Sequence, residues 1–298
     1  MRMRVLVTGA TGYVGGMLVP RLLERGHQVR VLVRNPERLA AAAWRDRVEM
    51  VVGDARDTDT VRTAMDRVEA AYYLIHSMTG QERFADTDRQ MARTFAAAAG
   101  RDAHVIYLGG LLPPDPDVSR HLASRAEVGD ILRASCRVTE FRAGPVIGVG
   151  SASFDMVRYL TQRLPVMITP RWVSNPVQPI GVENVIHYLL DVLNHEPLGV
   201  VDIGADVLTF KDMMLQYAEV MGLRRWILPV PVLAPTLAAL WVGLVTPIPN
   251  SLAVPLIQGI VHPVVADTVR AETLFPDIRP LPYREAVMQA VDAFRKGK

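Results

Sequence analysis

Cysteine is almost absent from this sequence, since Cys136 is the only one among 298 residues. A single thiol excludes an internal disulfide and is typical of a reducing compartment, so we expect a cytoplasmic protein. The sequence also lacks any grouping of Cys, His and carboxylate residues with metal-ligand spacing, and we predict no metal site. Cys136 itself is expected to be a small buried apolar residue.

An excess of charge of either sign is lacking too. Lys and Arg number 33 and Asp and Glu 31, and no basic run carries interleaved aromatic residues. A nucleic-acid backbone requires a cationic surface of that kind, so we predict no nucleic-acid partner. No apolar stretch of signal-peptide length precedes the first predicted strand, and export is not expected.

The first two-thirds of the chain alternate short β-branched runs with amphipathic segments, which is typical of βαβ units around a parallel sheet. Strands are predicted at 4–8, 28–33, 48–52, 70–75, 104–109, 137–142 and 200–205, and helices at 13–25, 81–99, 209–222 and 283–296. The predicted fold is α/β, a Rossmann-type doubly wound parallel sheet within a single domain. Residues 1–150 would mainly bind a dinucleotide, and residues 151–298 would contribute a small C-terminal substrate lobe.

Glycines follow the first predicted strand at a regular spacing, in "VLVTGATGYVGG". Gly9 would permit a tight turn, Gly12 would let the backbone approach a pyrophosphate, and Gly15 would allow close helix packing. The N-terminus of the next helix would face the phosphates with unpaired N–H groups. We predict dinucleotide binding by these glycines and their neighbours Thr8, Thr11, Tyr13 and Val14.

The end of the second predicted strand indicates which dinucleotide binds. A carboxylate there would repel a 2′-phosphate, but the sequence places Arg34 at that point and Arg38 a turn later, which favours NADP(H) over NAD. Asp54 and Ala55 follow the third strand, where the carboxylate could accept a hydrogen bond from the adenine amino group. The alternative for Asp54, a helix cap or turn residue, stays open at this point.

Together with these segments, "HLASR" at 121–125 makes the chain similar to the extended and atypical short-chain dehydrogenase/reductase superfamily. More narrowly, it resembles the branch of NAD(P)H-binding, epimerase-like proteins that includes nitrogen-regulator-like sensors and the NADPH-binding accessory subunit of respiratory complex I. The segments "YYLIHSM", "YLGGLLP" and "QPIGVENV" resemble a bacterial subgroup named after nucleoside-diphosphate-sugar epimerases. A name of that kind rests on fold and carries little about the substrate.

The resemblance implies a catalytic Ser or Thr after the fifth strand, a Tyr acting as acid or base, and a Lys four residues later. This sequence departs from all three, with Gly109 and Gly110 at the strand end, His121 for Tyr and Arg125 for Lys. His121 and Arg125 would share one helix face, where Arg125 would lower the His121 pKa and leave a neutral imidazole. We predict these two as candidate catalytic residues; the alternative is a polar helix surface.

Five further residues, His76, Ser77, Gly109, Gly144 and Pro145, are candidate cofactor contacts by their place at strand ends. His76 and Ser77 follow the fourth strand, near the expected nicotinamide ribose, and Gly144 and Pro145 follow the sixth. In the family, backbone at the latter point passes beside the nicotinamide carboxamide. Strand capping and a simple turn are the alternatives.

Residues 226–266 contain no Asp, Glu, Lys or Arg, but seven prolines interrupt the stretch too often for a spanning helix. A buried core, a dimer surface, an apolar ligand pocket and peripheral membrane contact all remain open. The leading prediction is an NADPH-dependent oxidoreductase acting on a small or apolar carbonyl, enone or quinone-like substrate. The alternatives are a non-catalytic NADP(H)-binding redox sensor or assembly factor and, third, a sugar-nucleotide epimerase.

Overall fold

Seven parallel strands form the central sheet of the computed structural model, which describes residues 2–76, 84–113, 119–230 and 245–296. They are β1 (Arg4–Thr8), β2 (Gln28–Val33), β3 (Glu49–Val52), β4 (Ala70–Tyr73), β5 (His104–Gly110), β6 (Arg137–Ala143) and β11 (Gly199–Ile203). Their order across the sheet is β11-β6-β5-β4-β1-β2-β3. The order reverses between β1 and β4, which is where open α/β sheets bind their ligands.

Helices cover both faces of this sheet, so the predicted doubly wound fold is confirmed. On one face lie α1 (Tyr13–Glu24), α6 (Val182–Asp191) and α9 (Val269–Leu274), and on the other lie α2 (Thr58–Met65), α3 (Phe84–Ala99) and α4 (Arg120–Ser135). Each face has its own apolar cluster, because strands covered on both sides must be apolar on both sides. Leu18 and Leu22 of α1 are fully buried in the first cluster, and Phe95 of α3 is fully buried in the second.

The C-terminal lobe has a third apolar cluster. Its helices are α5 (Ala152–Arg163), α7 (Phe210–Val220), α8 (Asn250–Gln258) and α10 (Tyr283–Lys296). Three pairs of short strands complete the lobe: β7 (Val146–Ile147) with β10 (Ile180–Gly181), β9 (Pro176–Val177) with β12 (Leu208–Thr209), and β8 (Val166–Pro170) with β13 (Trp226–Val230). Short 3₁₀ turns lie at Pro36–Leu39, Arg45–Arg47, Arg171–Ser174 and Val192–Asn194.

Helix α7 begins where the sequence predicts it to begin. Thr209 accepts a hydrogen bond from the N–H of Asp212 at 3.0 Å, and the Asp212 carboxylate accepts from the N–H of Thr209 at 3.0 Å. This reciprocal capping satisfies two N–H groups that the helix leaves unpaired. No helix in the described part of the chain has the length and apolar character needed to cross a membrane.

Candidate active site

The site lies at the carboxyl edge of β1 and β4, where Thr8 joins the two strands. Its hydroxyl donates to the Tyr72 carbonyl at 2.9 Å and accepts from the Leu74 N–H at 3.2 Å. The Thr8 side chain is fully buried. Its hydroxyl therefore bonds within the sheet, and only its backbone is left for the predicted cofactor contact.

The glycine loop after β1 leaves no space for a side chain at Gly9 or at Gly15. Gly9 has φ +74°, and a Cβ on it would lie 2.6 Å from the Leu74 carbonyl oxygen. A Cβ on Gly15 would lie 2.3 Å from the Gly9 carbonyl oxygen, so the start of α1 packs directly against the turn. Both positions require glycine, as the sequence predicts.

The N-terminus of α1 fits a bound pyrophosphate. Gly12 is the N-cap, no side chain caps the helix, and its first turn contains no acidic residue. The first-turn N–H groups of Tyr13, Val14 and Gly15 are therefore suited to an anion, with the exposed Gly12 and the half-buried Thr11 beside them. These are the residues that would hold the phosphates of a dinucleotide.

Tyr13 also ties the glycine loop to the lobe. A Cβ on Gly148 would lie 2.3 Å from the Tyr13 hydroxyl oxygen, so the loop after β7 passes directly over the tyrosine. That hydroxyl is buried without a hydrogen-bond partner among the residues described. Burial, followed by the charges of Glu183 and Asp155, raises the pKa of Tyr13, which therefore stays protonated.

Arginines gather where the adenosine end of the cofactor is expected. Arg34 follows β2 and is exposed, as is Arg38. Asp54 accepts from Arg56 through both oxygens, from Nε at 3.0 Å and from Nη2 at 2.7 Å. These hydrogen bonds, with Arg34 contributing, hold the pKa of Asp54 at about 2.

Asp54 thus forms an ion pair that the sequence analysis did not include. Its carboxylate also accepts from the Arg56 N–H at 2.9 Å, which is the geometry of a turn residue. That Asp54 binds adenine stays a prediction. The hydrogen bond from the Arg56 N–H agrees with the alternative given above, a turn residue. Because Arg56 neutralises Asp54, the carboxylate opposes a nearby phosphate less strongly than its charge alone would. Ala55, also predicted to contact the cofactor, packs against the second apolar cluster.

Two histidines meet at the opposite end of the site. His76 follows β4 and His121 lies in the first turn of α4, and their ring centroids are 6.5 Å apart. Arg125, one turn further along α4, donates from Nη2 to the Leu108 carbonyl of β5. The structure therefore brings together His76, His121 and Arg125, three of the predicted residues, at the carboxyl ends of β4 and β5.

Both imidazoles are neutral at physiological pH. Burial and the neighbouring Arg125 charge lower the pKa of His121 to about 4. The side chain of His76 is partly exposed to solvent. Desolvation by the surrounding protein, followed by the charges of Arg125 and His121, lowers its pKa to about 3. An imidazole with so low a pKa is a weak base and holds no acidic imidazolium proton at pH 7, so it is a poor general acid, although its neutral N–H can still donate a hydrogen bond.

The two glycines at the end of β5, Gly109 and Gly110, are closely packed at the point where the resemblance implies a hydroxyl residue. A Cβ on Gly109 would lie 3.1 Å from Glu140 Oε1, and one on Gly110 would lie 3.1 Å from Leu122 Cδ2. Glu140 is buried between Arg142, at 2.8 Å, and Arg133. A side chain at either glycine would require Glu140 or Leu122 to shift by a few tenths of an ångström.

The loop after β6 is held by the lobe. A Cβ on Gly144 would lie 2.1 Å from the Gln178 carbonyl oxygen, and the Ile180 N–H donates to the Pro145 carbonyl at 3.0 Å. Gln178, which sequence reasoning missed, also donates to the Ala205 carbonyl at 2.7 Å and accepts from the Ala266 N–H at 2.8 Å. Only its place in the motif "QPIGVENV" could have indicated it.

Ser77, predicted to contact the cofactor, lies outside the described residues. Within the described ranges no group of His, Cys, Asp and Glu could hold a metal ion. A shallow cavity of about 660 Å³ lies at the opposite, amino-terminal edge of the sheet, where Arg4, His27 and Glu49 are among its lining residues. It is separate from the site built by the glycine loop and the histidines.

Several known proteins are similar to this chain in sequence. Residues 9–135 match the family model described as NAD(P)H-binding. The chain is 36% identical over 109 residues to a 3 beta-hydroxysteroid dehydrogenase/Delta 5→4-isomerase of Mycobacterium tuberculosis, which covers 36% of this chain and 28% of that enzyme. It is 31% identical over 241 residues to a ceramide reductase of Caulobacter vibrioides, covering 76% of this chain and 73% of the reductase.

A solved structure shares the fold over nearly the whole chain. Triphenylmethane reductase of Citrobacter sp. superposes with a TM-score of 0.75 at 18% identity, covering 97% of this chain and 99% of that one. The glycine loop, the uncapped helix and the match over 9–135 identify a nicotinamide-dinucleotide site. The chain belongs to the short-chain dehydrogenase/reductase superfamily, within its NAD(P)H-binding extended and atypical members.

Proposed function

We propose that this protein is an NADPH-dependent reductase of an apolar carbonyl, enone or quinone-like compound. The observation that carries the proposal is the meeting of His76, His121 and Arg125 at the sheet edge that also holds the glycine loop. A site for binding the cofactor alone would need the loop but not this group of polar side chains. When bound, the nicotinamide supplies a hydride from its C4.

Three arginines support NADPH as the cofactor. Arg34 and Arg38 are exposed near the end of β2, and Arg56 is half-exposed beside Asp54 after β3. A 2′-phosphate at this end would accept charge-assisted hydrogen bonds from Arg34. The residue directly after β2 is Arg34 rather than a carboxylate, and Asp54 after β3 is already neutralised by Arg56.

The charge state of the histidines bears on the class of substrate. Because His121 is neutral at pH 7, it is poorly suited to protonate an alkoxide as it forms. Quinones and enones need less help, since the electrons they gain are delocalised and the proton can come later from water. This favours a conjugated acceptor over an isolated ketone.

Arg125 would then orient the reaction rather than transfer a proton. Its guanidinium is anchored on the Leu108 carbonyl, which fixes it beside His121 at the end of β5. From there it can direct N–H groups to the nicotinamide ribose or to a substrate oxygen gaining negative charge. Gly144 and Pro145, clamped by Gln178 and Ile180, would position backbone beside the carboxamide.

The relatives support an apolar substrate. One is named a ceramide reductase and another a steroid dehydrogenase/isomerase, and both names refer to largely apolar molecules. The alignment with the steroid enzyme covers only 28% of that enzyme's length, so the ceramide reductase carries more of the argument.

The experiment is single-turnover oxidation of bound NADPH, followed by nicotinamide absorbance, against quinones, enones and aldehydes. We expect saturable oxidation with conjugated acceptors. The neutral imidazole of His121 can still donate an N–H hydrogen bond to a substrate oxygen that gains charge, so His121→Ala should slow the oxidation by about 10- to 100-fold while leaving NADPH affinity within twofold. His187→Ala is the matched control, because His187 lies exposed on α6, and it should leave the rate unchanged.

Two results would count against the proposal. Tight NADPH binding without oxidation across the panel would favour the redox sensor or assembly factor, which needs no substrate. Oxidation that is equal in wild type, His121→Ala and Arg125→Ala would place the reacting atoms away from α4.

A further inference from the structure

Strands β8 and β13 present an apolar surface to the outside of the lobe. Trp226 pairs with Val166 and Leu228 with Ile168 in parallel register. These four side chains keep 69%, 53%, 54% and 60% of their surface exposed, respectively. The intervening pair, Ile227 and Met167, is buried in the third apolar cluster. We call the four exposed side chains the β8–β13 face.

The exposed apolar side chains of the β8–β13 face lie next to one another. Residues paired across neighbouring strands lie about 5 Å apart, so the four side chains form one continuous patch. The other large exposed apolar residues of the described ranges, such as Val52, Val207 and Val269, lie on separate elements. A clustered patch with a tryptophan is typical of a binding surface.

The stretches of sequence that contain these two strands carry charge of one sign only. Residues 156–182 and 220–266, which include both strands, contain five arginines and no Asp or Glu. Arg163, Arg171 and Arg224 are exposed. Arg225 is half-buried and anchored, since it donates from Nη2 to the Gln162 carbonyl at 3.2 Å. Asp155, Glu183 and Glu219 border these ranges, and Asp155 pairs with Arg158, so the positive charge near the face rests on Arg163, Arg171, Arg224 and Arg225.

We propose that the β8–β13 face docks on the surface of an anionic phospholipid bilayer. Trp226, Leu228 and Ile168 would enter the boundary between headgroups and acyl chains, where an amphipathic indole is favourable. The exposed arginines would contact the lipid phosphates. The proposal concerns docking at the surface and not spanning, and it does not depend on hydride transfer.

Charge complementarity favours a bilayer over a second copy of this chain. In a symmetric dimer through this face, the same arginines would approach one another without nearby carboxylates to neutralise them. An anionic membrane supplies the missing negative charge. Its interfacial layer also suits this face, because a few exposed side chains are long enough to enter the boundary between headgroups and acyl chains.

The test is flotation of the full chain with vesicles of phosphatidylcholine alone or mixed with phosphatidylglycerol. We expect binding to the mixed vesicles that weakens at high salt. Trp226→Ser with Ile168→Ser should lower the partition coefficient by about tenfold for each side chain removed. Arg171→Glu with Arg224→Glu should lower binding to the mixed vesicles only.

Val269→Ser is the matched control, because Val269 is as exposed as Trp226 but lies on α9, and it should bind like wild type. Thermal melts of all variants should coincide, since the exchanged side chains are exposed. Equal flotation of wild type and the Trp226 and Ile168 variant would overturn the proposal. So would a wild-type dimer in solution that this variant converts to a monomer, because the face would then join two copies.

Discussion

Exchanging the charge of Arg34 tests how the cofactor is selected. Arg34 is exposed at the end of β2, where the 2′-phosphate of NADPH is expected. A charge-assisted hydrogen bond to phosphate contributes about 1.5–3 kcal/mol, and solvent exposure brings Arg34 to the lower part of that range. A carboxylate about 4 Å from the phosphate adds about 1 kcal/mol of repulsion in water.

Together these effects amount to about 2–3 kcal/mol, so Arg34→Asp should raise the Kd of NADPH by about 30- to 150-fold. NADH lacks the phosphate, and its Kd should change by no more than about threefold, since Asp can accept from the ribose hydroxyls. The assay is titration of the bound nicotinamide fluorescence with each cofactor. Arg101→Asp makes the same charge change at an exposed position before β5, on the opposite edge of the sheet, and should leave both constants unchanged.

Equal losses for NADPH and NADH would refute this reasoning. The phosphate would then lie elsewhere, and Arg34 would support the fold or attract both cofactors by its charge. An unchanged NADPH affinity would transfer the selection to Arg38 or Arg56, which the same titration can test one at a time.

Two further predictions concern the glycine loop and the response to pH. Gly15→Ala should abolish measurable NADPH binding and lower the melting temperature, because its Cβ would lie 2.3 Å from the Gly9 carbonyl oxygen. Gly16→Ala is the control: its Cβ would lie 3.6 Å from the nearest atom, so NADPH binding and the melting temperature should both match wild type. Because the pKa of His121 is lowered to about 4, the unfolded chain binds more protons than the folded chain between about pH 6.5 and 4. The melting temperature should therefore fall as pH drops through this window, and it should fall less in His121→Gln; identical slopes would contradict the lowered pKa.

The sequence was sufficient to predict the central sheet because most of its strands are short runs rich in apolar residues and bounded by turn signals; β6, with Glu140 and Arg142, is the exception. Strands β1 and β2 have the predicted bounds, and the others differ by one or two residues at their ends; β4, for example, ends at Tyr73 rather than at residue 75. The helix at Tyr283–Lys296 also has the predicted bounds. Periodicity and capping are local properties, so they can be read from neighbouring residues.

The lobe could not be predicted in the same way. Strands β7, β9, β10 and β12 have only two residues each, too few to show an alternation. Gln178 connects Gly144, Ala205 and Ala266 across long sequence separations, and no local pattern indicates such a contact. For the apolar stretch 226–266 the sequence left core, dimer surface, ligand pocket and membrane contact open; among its described residues Ala253 and Ile257 are buried and Trp226 is exposed, a difference that composition alone does not show.

At the site, the sequence indicated where residues lie in the fold better than it indicated the hydrogen-bond partners of their side chains. The glycine loop and His121 lie where they were predicted, but Thr8 directs its hydroxyl into the sheet and Asp54 binds Arg56. Side-chain partners depend on geometry that residue types alone do not determine. The proximity of His76 to His121 follows from the pairing of β4 with β5, and neither histidine indicates the other in the sequence.

The central claim is hydride transfer from NADPH at this site. The most direct measurement is single-turnover oxidation of NADPH carrying deuterium at C4, compared with unlabelled NADPH, in the presence of an enone, because a C–D bond formed on its carbon keeps the label whereas a hydroquinone O–D exchanges it with water. Our account predicts slower oxidation of the deuterated cofactor and deuterium in the reduced product, both lost in Gly15→Ala. Bound NADPH that transfers no deuterium to any acceptor would contradict it.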